Sequence, residues 1–205
     1  TYPDPADLAL EAMQHLDDLY QQAGDQDKRR FWLRKKIELV AGLGSTAPDR
    51  AKFMAAEAQF VLADDARAAF DAVVLADPLP KALKRKQQVL KDAIAAYEKA
   101  ASYGVPEFAA ASTYQIADIY AALSRQLLAS ARPKGLSEME LEQYDVLLEE
   151  QAFPFEEQAI AIHEINVRRS WEGSYDQWVQ KSFTALRALL PARFDKDELQ
   201  VSYVE

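Results

Sequence analysis

Apolar residues recur every three or four positions along most of the chain, as Leu8, Ala12, Leu16 and Leu19 do near its start. This spacing places them on one face of an α-helix. We find no segment with the strict apolar–polar alternation of a half-buried β-strand. The pattern predicts an all-α protein with nine helices, over residues 5–23, 27–40, 49–62, 64–75, 81–103, 107–130, 137–151, 155–171 and 175–190.

Helix signals at the turns set these boundaries. Asp4 and Pro5 predict the N-cap and first position of the first helix. Ser137 and Glu140 have the spacing of a capping box, and Pro154 predicts a fresh helix start. The short connections predict antiparallel helical hairpins. We read the break at residues 77–80 as a turn within one domain, which spans residues 1–205 and ends in a polar tail at 196–205.

Small residues stand beside aromatic ones at helical spacing in the middle of the chain. Two triplets carry this pattern: Ala93, Tyr97 and Ala100 in one helix, and Ile116, Ala117 and Tyr120 in the next. Alanine lets two helix backbones approach closely, and the bulky side chains fill the space beside the contact. We therefore expect Tyr97 and Tyr120 to be buried, with a cost of about 3–5 kcal/mol when either is replaced by alanine.

The two triplets resemble the tetratricopeptide repeat, a helical hairpin that stacks into a right-handed solenoid. The match is best at this one junction, where Thr113 stands in place of the tryptophan that the family often has. The resemblance implies a tetratricopeptide-like superhelix of about four irregular hairpins. Residues 79–191 more broadly resemble the carboxy-terminal region of large tetratricopeptide proteins of the Gram-negative envelope. That likeness implies a piece of a longer protein, a periplasmic or cell-envelope location and a scaffolding role without catalytic residues.

The same resemblance implies where a partner binds. The first helices of such hairpins line a concave groove that takes up peptide segments. The alignment places Gln14 and Asp18 in this groove from the first hairpin, and Tyr114 and Asp118 from the third. These four residues are the candidate binding site for a protein or peptide partner. Because several groove positions are acidic, we expect a basic peptide to be preferred.

Few residues are available for chemistry, so we expect neither an enzyme nor a cofactor, and a helical-bundle enzyme is the less favoured alternative. Cysteine is absent, and the two histidines, His15 and His163, lack the Glu-x-x-His spacing of di-iron bundles. We interpret both histidines as structural or surface residues and expect no metal. The acidic pairs at residues 149–150 and 156–157 are a weak candidate for paired catalytic carboxylates. For Glu156 and Glu157 we favour a role in the first turn of a helix, where negative charge is stabilising.

Net charge argues against nucleic acid as a partner, because the chain carries −9 at pH 7. Residues 28–36 are basic with interleaved aromatics, which leaves binding to an anionic membrane surface or nucleic acid as the alternative. We favour a solvated basic helix face that pairs with acidic helices such as the one carrying Glu138. No apolar run is long enough for a transmembrane helix. Phe153, Pro154 and Phe155 form either a buried hinge, which we favour, or an exposed patch for a partner.

Overall fold

The architecture is entirely helical in the computed structural model, which describes residues 5–196. No β-strand occurs in that range, which confirms the prediction of an all-α protein. Asp4 and residues 197–205 of the predicted tail lie outside it. The helices are α1 (Pro5–Gln22), α2 (Gln26–Leu43), α3 (Asp49–Ala72), α4 (Leu79–Ala101), α5 (Pro106–Leu128), α6 (Glu138–Trp171), α7 (Gln177–Leu189) and α8 (Pro191–Phe194), with a 3-10 turn at Gly44–Thr46.

Helices pack mainly against their neighbours in the chain. Every helix from α1 to α8 contacts the next one, and the most extensive interfaces join α5 to α6 and α3 to α4. In addition, α1 contacts α3, α3 contacts α5, and α5 contacts α7. Within residues 5–196, no two even-numbered helices come equally close. The odd-numbered helices therefore lie side by side, and we call their shared surface the odd-helix face.

The main core forms where α3, α4, α5 and α6 meet, around Tyr97. The Tyr97 side chain is completely buried, and its hydroxyl donates a hydrogen bond of 2.8 Å to a carboxylate oxygen of Asp64 on α3. Ala93, Ala100 and Ala117 are also completely buried, as the small-residue pattern predicts. Tyr120 is only half-buried, and its ring stacks on Phe155 with 6.4 Å between centroids. The packing seam is thus confirmed at Tyr97 and is looser at Tyr120.

A second core joins α1, α2 and the start of α3. Its buried side chains are small or aliphatic: Leu10, Val40, Ala47, Ala51, Met54 and Ala55. Beside it, the fully buried ammonium group of Lys36 donates to Asp17 at 2.7 Å, and Arg29 donates to the same carboxylate at 2.9 Å. A buried charge needs such partners because its removal from water is costly. The Lys36–Asp17 pair therefore fixes α2 against α1.

Lys86 of α4 stabilises the end of α3. Its side chain is fully buried, and Nζ donates hydrogen bonds to the backbone carbonyls of Phe70 and Val73, the latter at 2.8 Å. Phe70 lies in the last turn of α3 and Val73 directly follows the helix, where the regular pattern of helical hydrogen bonds ends. Burial lowers the pKa of Lys86 from its usual value. Lys86 is therefore a buried cation of the helix predicted at residues 81–103, and not part of a solvated surface.

The predicted break between residues 62 and 64 is wrong, because α3 runs without interruption through this region. The predicted helix at residues 64–75 begins at Asp64, yet in the structure the Asp64 carboxylate accepts a hydrogen bond from the hydroxyl of Tyr97. Asp65 instead pairs with Arg30 of α2, at 2.7 Å. No glycine or proline stands between Leu62 and Asp65 to stop the helix. Here the aspartates serve tertiary packing rather than capping.

The predicted break at Pro154 is also wrong, since α6 continues across it for 34 residues. The capping box at its start is confirmed: the Glu140 amide donates to the Ser137 hydroxyl, and the Glu140 carboxylate accepts from the Ser137 amide. Proline removes the hydrogen bond to the carbonyl four residues earlier. Both Pro154 and Glu150 are exposed, so water can take the place of that bond. Helices α3 and α6 each replace two predicted helices, and the short α8 is additional. Residues 5–196 therefore contain eight helices instead of the predicted nine.

The region around Pro154 therefore contains no hinge. Phe155 is half-buried against Tyr120, whereas Phe153 is 59% exposed on the other side of the helix. The favoured buried-hinge interpretation is wrong for Phe153, which is an exposed apolar residue. Glu156 and Glu157 now lie in the middle of α6, so the charge of a helix end does not account for them.

Replacement of Tyr97 by alanine is expected to lower the free energy of unfolding by about 3–5 kcal/mol, because it empties a fully buried site. Tyr97→Phe keeps the ring and loses only the bond to Asp64, at a cost of about 1 kcal/mol. Tyr120→Ala is expected to cost about 1–2 kcal/mol, since that ring is only half-buried. Urea titrations followed by circular dichroism measure all three. Equal losses at Tyr97 and Tyr120 would contradict this description of the core.

Candidate functional site

All four residues of the predicted binding site lie on odd-numbered helices. Gln14 and Asp18 lie on α1, and Tyr114 and Asp118 lie on α5. Helix α3 lies between these two pairs, since it contacts both α1 and α5. The prediction from sequence therefore named residues on two of these helices and omitted the helix that connects them.

The α1 part of the site is already engaged within the protein. Gln14 donates from Nε2 to Asp18 at 3.0 Å, and its amide oxygen accepts from Lys36 at 2.8 Å. Lys36 is the buried cation that also binds Asp17. Gln14 is thus part of the contact between α1 and α2, and it is held in place by that contact.

The α5 part is engaged as well. Arg67 of α3 donates to Asp118 at 2.8 Å and to Gln115 at 3.3 Å, which ties α3 to α5. Tyr114 lies between His163 of α6, at 5.5 Å between ring centroids, and Trp178 of α7, at 5.6 Å. Burial raises the pKa of the Tyr114 hydroxyl. All four predicted residues therefore have partners inside the molecule and shape the odd-helix face.

Glu57 of α3 is a residue of this face that the sequence reading missed. It is half-buried, and its carboxylate makes no hydrogen bond or ion pair within residues 5–196. Burial raises its pKa, and the negative charges of Asp17, Asp18 and Glu107 act in the same direction against the opposing charge of Lys36. The only sequence signal was one glutamate between alanines, in the stretch MAAEAQF. Glu57 thus marks the place where acidic side chains of three odd-numbered helices come together.

Aromatic rings continue the face from α3 towards α7. Phe60 of α3 lies 5.9 Å from Phe108 of α5 and 6.1 Å from Trp178 of α7, measured between ring centroids. Phe53 lies 5.2 Å from Phe108 and is 39% exposed. The ammonium group of Lys181 stands 4.2 Å above the Trp178 ring. We call Phe53, Phe60, Phe108, Tyr114 and Trp178 the aromatic cluster. It gives one half of the odd-helix face an apolar character, and Glu57 gives the other half an acidic one.

His163 is a structural residue, in agreement with its interpretation from sequence, whereas His15 is exposed. The His163 ring is 1% exposed, and Nδ1 lies 3.3 Å from the hydroxyl of Ser182 on α7. Asn166 donates to that hydroxyl and to the carbonyl of Ala110, both at 3.0 Å. Because Ser182 is completely buried, no substrate can reach this histidine–serine contact. The cluster joins α5, α6 and α7.

The basic run at residues 28–36 is largely neutralised within the fold. Lys28 pairs with Asp25, Arg29 and Lys36 with Asp17, Arg30 with Asp65, and Lys35 with Glu38. The acidic partners thus lie on or beside α1, α2 and α3, and not on the helix that carries Glu138, as the sequence reading suggested. A surface for phosphate groups needs free cations. This pairing therefore does not favour the membrane or nucleic-acid alternative.

An apolar groove of about 400 Å³ opens between α4, α5 and α6. It is lined by the start of α4, the end of α5 and the first half of α6, through side chains that include Leu83, Leu127 and Leu147. Leu147 is 49% exposed at its rim. This groove is formed by residues outside the four that the sequence named.

Metal binding, membrane spanning and similarity to known proteins give no further indication of function. No group of three or more acidic, histidine or cysteine side chains within residues 5–196 is arranged to hold a metal ion. In the same range, no helix is both long and apolar enough to cross a membrane. No protein-family model, curated protein or solved structure matches the chain.

The burial of His163 makes stability depend on pH. Burial lowers its pKa from 6.5 to about 4, against a weaker opposing effect of the Asp118 charge. The unfolded chain therefore takes up a proton between pH 6.5 and 4 that the folded chain does not, so stability from this residue is complete above pH 6.5 and falls as pH drops. Between pH 7 and 5 the loss is expected to be about 2 kcal/mol.

The variant His163→Gln, which does not titrate, is expected to lose correspondingly less stability between these two pH values, as measured by urea unfolding. The matched control His15→Gln changes an exposed histidine and should behave like the unmodified protein. A His163→Gln variant with the full pH dependence would show that this ring is protonated in the fold.

Proposed function

We propose that the chain is a non-catalytic scaffold that binds a protein or peptide segment along its odd-helix face. In this proposal the hairpins α1–α2, α3–α4 and α5–α6, followed by α7 and α8, form a tetratricopeptide-like solenoid of irregular repeats. The contacts of α1 with α3, α3 with α5 and α5 with α7 support it, because the first helices of successive hairpins adjoin in such an array. The family resemblance adds a bacterial envelope assembly as the proposed setting.

The observation that carries the proposal is the unpaired carboxylate of Glu57. A half-buried charge without a partner reduces stability, since it has lost part of its hydration and gained no hydrogen bond. Burial is the main cause of the raised pKa of Glu57; nearby acids act in the same direction, and the charge of Lys36 opposes them. Such a residue is costly for the isolated fold, whereas a lysine or arginine of a bound peptide would compensate its charge. Binding sites often retain groups of this kind.

The aromatic cluster gives the second half of the recognition. Phe60 and Trp178 are half-buried and present ring surface next to the acidic region. Aromatic side chains contribute strongly to interfaces because they bury a large area with few rotatable bonds. We therefore propose a segment that places a basic residue near Glu57 and an apolar residue against the cluster.

The variant Glu57→Gln separates binding from stability. It keeps the size and polarity of the side chain and removes its charge. We expect the free energy of unfolding at pH 7 to rise by less than about 1 kcal/mol, because the site is partly open to solvent. A random-peptide display library selected on the unmodified protein is expected to yield sequences rich in lysine and arginine. These peptides should bind Glu57→Gln about tenfold more weakly, which corresponds to the loss of one charge-assisted contact.

The matched control is Glu98→Gln, an exposed carboxylate on α4, which should leave both quantities unchanged. Selected peptides that bind Glu57→Gln as tightly as the unmodified protein would overturn the proposed role of this face. A lower stability of Glu57→Gln would show that the carboxylate has a partner in the fold.

A further inference from the structure

The first part of α6 concentrates the negative charge of the molecule. Residues 138–157 contain eight aspartate or glutamate residues and neither lysine nor arginine, whereas the whole chain has a net charge of −9. The rest of the sequence is therefore almost neutral. Repulsion between so many like charges on one helix disfavours it, so this concentration calls for an explanation.

Most of these carboxylates have no partner in the protein. Asp145 pairs with Arg132 at 2.7 Å, and Glu140 completes the capping box with Ser137. The other six make no hydrogen bond or ion pair within residues 5–196: Glu138, Glu142, Glu149, Glu150, Glu156 and Glu157. Because Pro154 does not start a new helix, none of the last four lies at a helix end.

An exposed apolar stripe runs between these acids. Met139, Val146 and Phe153 are seven residues apart, which places them on one face of α6. Their exposed fractions are 70%, 55% and 59%. The stripe is about 21 Å long, at a rise of about 1.5 Å per residue. An exposed row of large apolar side chains at regular spacing is typical of an interaction surface.

The acids flank this stripe on both sides. Glu142, Glu149 and Glu156 each follow a stripe residue by three positions, and Glu150 and Glu157 follow one by four positions. On a helix, these positions are neighbours of the stripe residue to its left and right. We call the three apolar residues and these five glutamates the acidic stripe of α6. It combines a central apolar row with two rows of unpaired negative charge.

An ion pair lies on the continuation of this face. Glu164 stands five helical turns after Val146, on the same side of α6, and pairs with Arg193 of α8. Ile160, the next apolar residue of the stripe, is half-buried. The opposite side of the first half of α6 packs on α5, with Leu148 and Ala152 buried, whereas the stripe side stays exposed. A basic side chain of the chain itself therefore already pairs with an acid on this side of α6.

We infer that the acidic stripe of α6 is a docking surface for a basic amphipathic helix of a partner protein. The apolar side of that helix covers Met139, Val146 and Phe153, and its lysine and arginine side chains pair with the two rows of glutamates. Charge complementarity selects this occupant, since the stripe repels anionic lipid and nucleic acid. A second copy of the chain is a poorer match, because the cations of its basic helix α2 are mostly paired internally. This surface is separate from the odd-helix face and does not depend on it.

The test uses a designed amphipathic peptide of about 21 residues, long enough to span the stripe. Each heptad carries leucine and isoleucine on one side and lysine or arginine on the other. A scrambled peptide of the same composition is the control for unspecific charge attraction. Fluorescence anisotropy at low and physiological salt measures binding, and sedimentation velocity of the protein alone measures self-association.

Phe153→Gln is expected to weaken binding of the amphipathic peptide about tenfold, because it removes the largest apolar contact of the stripe. Trp171→Gln, which changes another exposed aromatic residue of α6, should have no effect. The double variant Glu142→Gln with Glu149→Gln should weaken binding about threefold and reduce its salt dependence. The double variant Glu98→Gln with Glu172→Gln removes the same charge elsewhere and should leave binding unchanged. Glu57→Gln should also leave it unchanged, which separates this inference from the proposed function.

Four results would overturn the inference. One is equal binding of the scrambled peptide. Another is unchanged affinity of Phe153→Gln. The third is an equal loss of affinity for the two glutamate double variants. The fourth is self-association of the protein that Phe153→Gln abolishes, since a second copy would then occupy the stripe. Circular dichroism and urea unfolding of every variant distinguish lost binding from lost structure.

Discussion

The structure depends on the close approach of α3, α4 and α5 around one buried tyrosine. The completely buried alanines Ala93, Ala100 and Ala117 bring the helix backbones near each other, and Tyr97 fills the space that remains. The bond from Tyr97 to Asp64 adds a polar contact in a low-dielectric interior, where it is stronger than in water. The cap that Lys86 provides for α3 and the contact of Arg67 with Asp118 act on the same helices. The positions of the odd-numbered helices, and hence of the odd-helix face, follow from this packing.

The sequence was sufficient for the fold class and for the seam around Tyr97, because helical periodicity and residue size are local properties. It was misleading wherever one residue type has two uses. Aspartate often caps helices, yet the Asp64 carboxylate accepts a hydrogen bond from the hydroxyl of Tyr97, 33 residues later. Proline often starts a helix, yet Pro154 is tolerated within α6 because it faces solvent. For the proposed binding face, the sequence named Gln14, Asp18, Tyr114 and Asp118, which lie on two odd-numbered helices. Glu57 stands out only in the structure, because tertiary contacts half-bury it and leave it unpaired.

Charge is distributed in this protein according to whether it has an internal partner. The cations of α2 are used to join α1, α2 and α3, which leaves little positive surface there. The acids of the first half of α6 have almost no such partners, although they stand next to exposed apolar residues. Exposed apolar surface reduces the solubility of an isolated chain, and charge that is half-buried without a partner or crowded by like charges reduces its stability. Both proposed surfaces rest on this same physical argument, applied to a single half-buried carboxylate in one case and to a whole helix face in the other.

Two single variants of α4, each with one alanine replaced by leucine, test most directly whether the helices meet through their alanines. Ala93 is completely buried against its neighbours, whereas Ala95 of the same helix is exposed. If the helices meet through alanine, Ala93→Leu should lower the free energy of unfolding by about 1–3 kcal/mol or more, because the backbones must move apart. Ala95→Leu should change it by less than about 0.5 kcal/mol. Equal free energies of unfolding for the two variants in urea titrations would contradict the account.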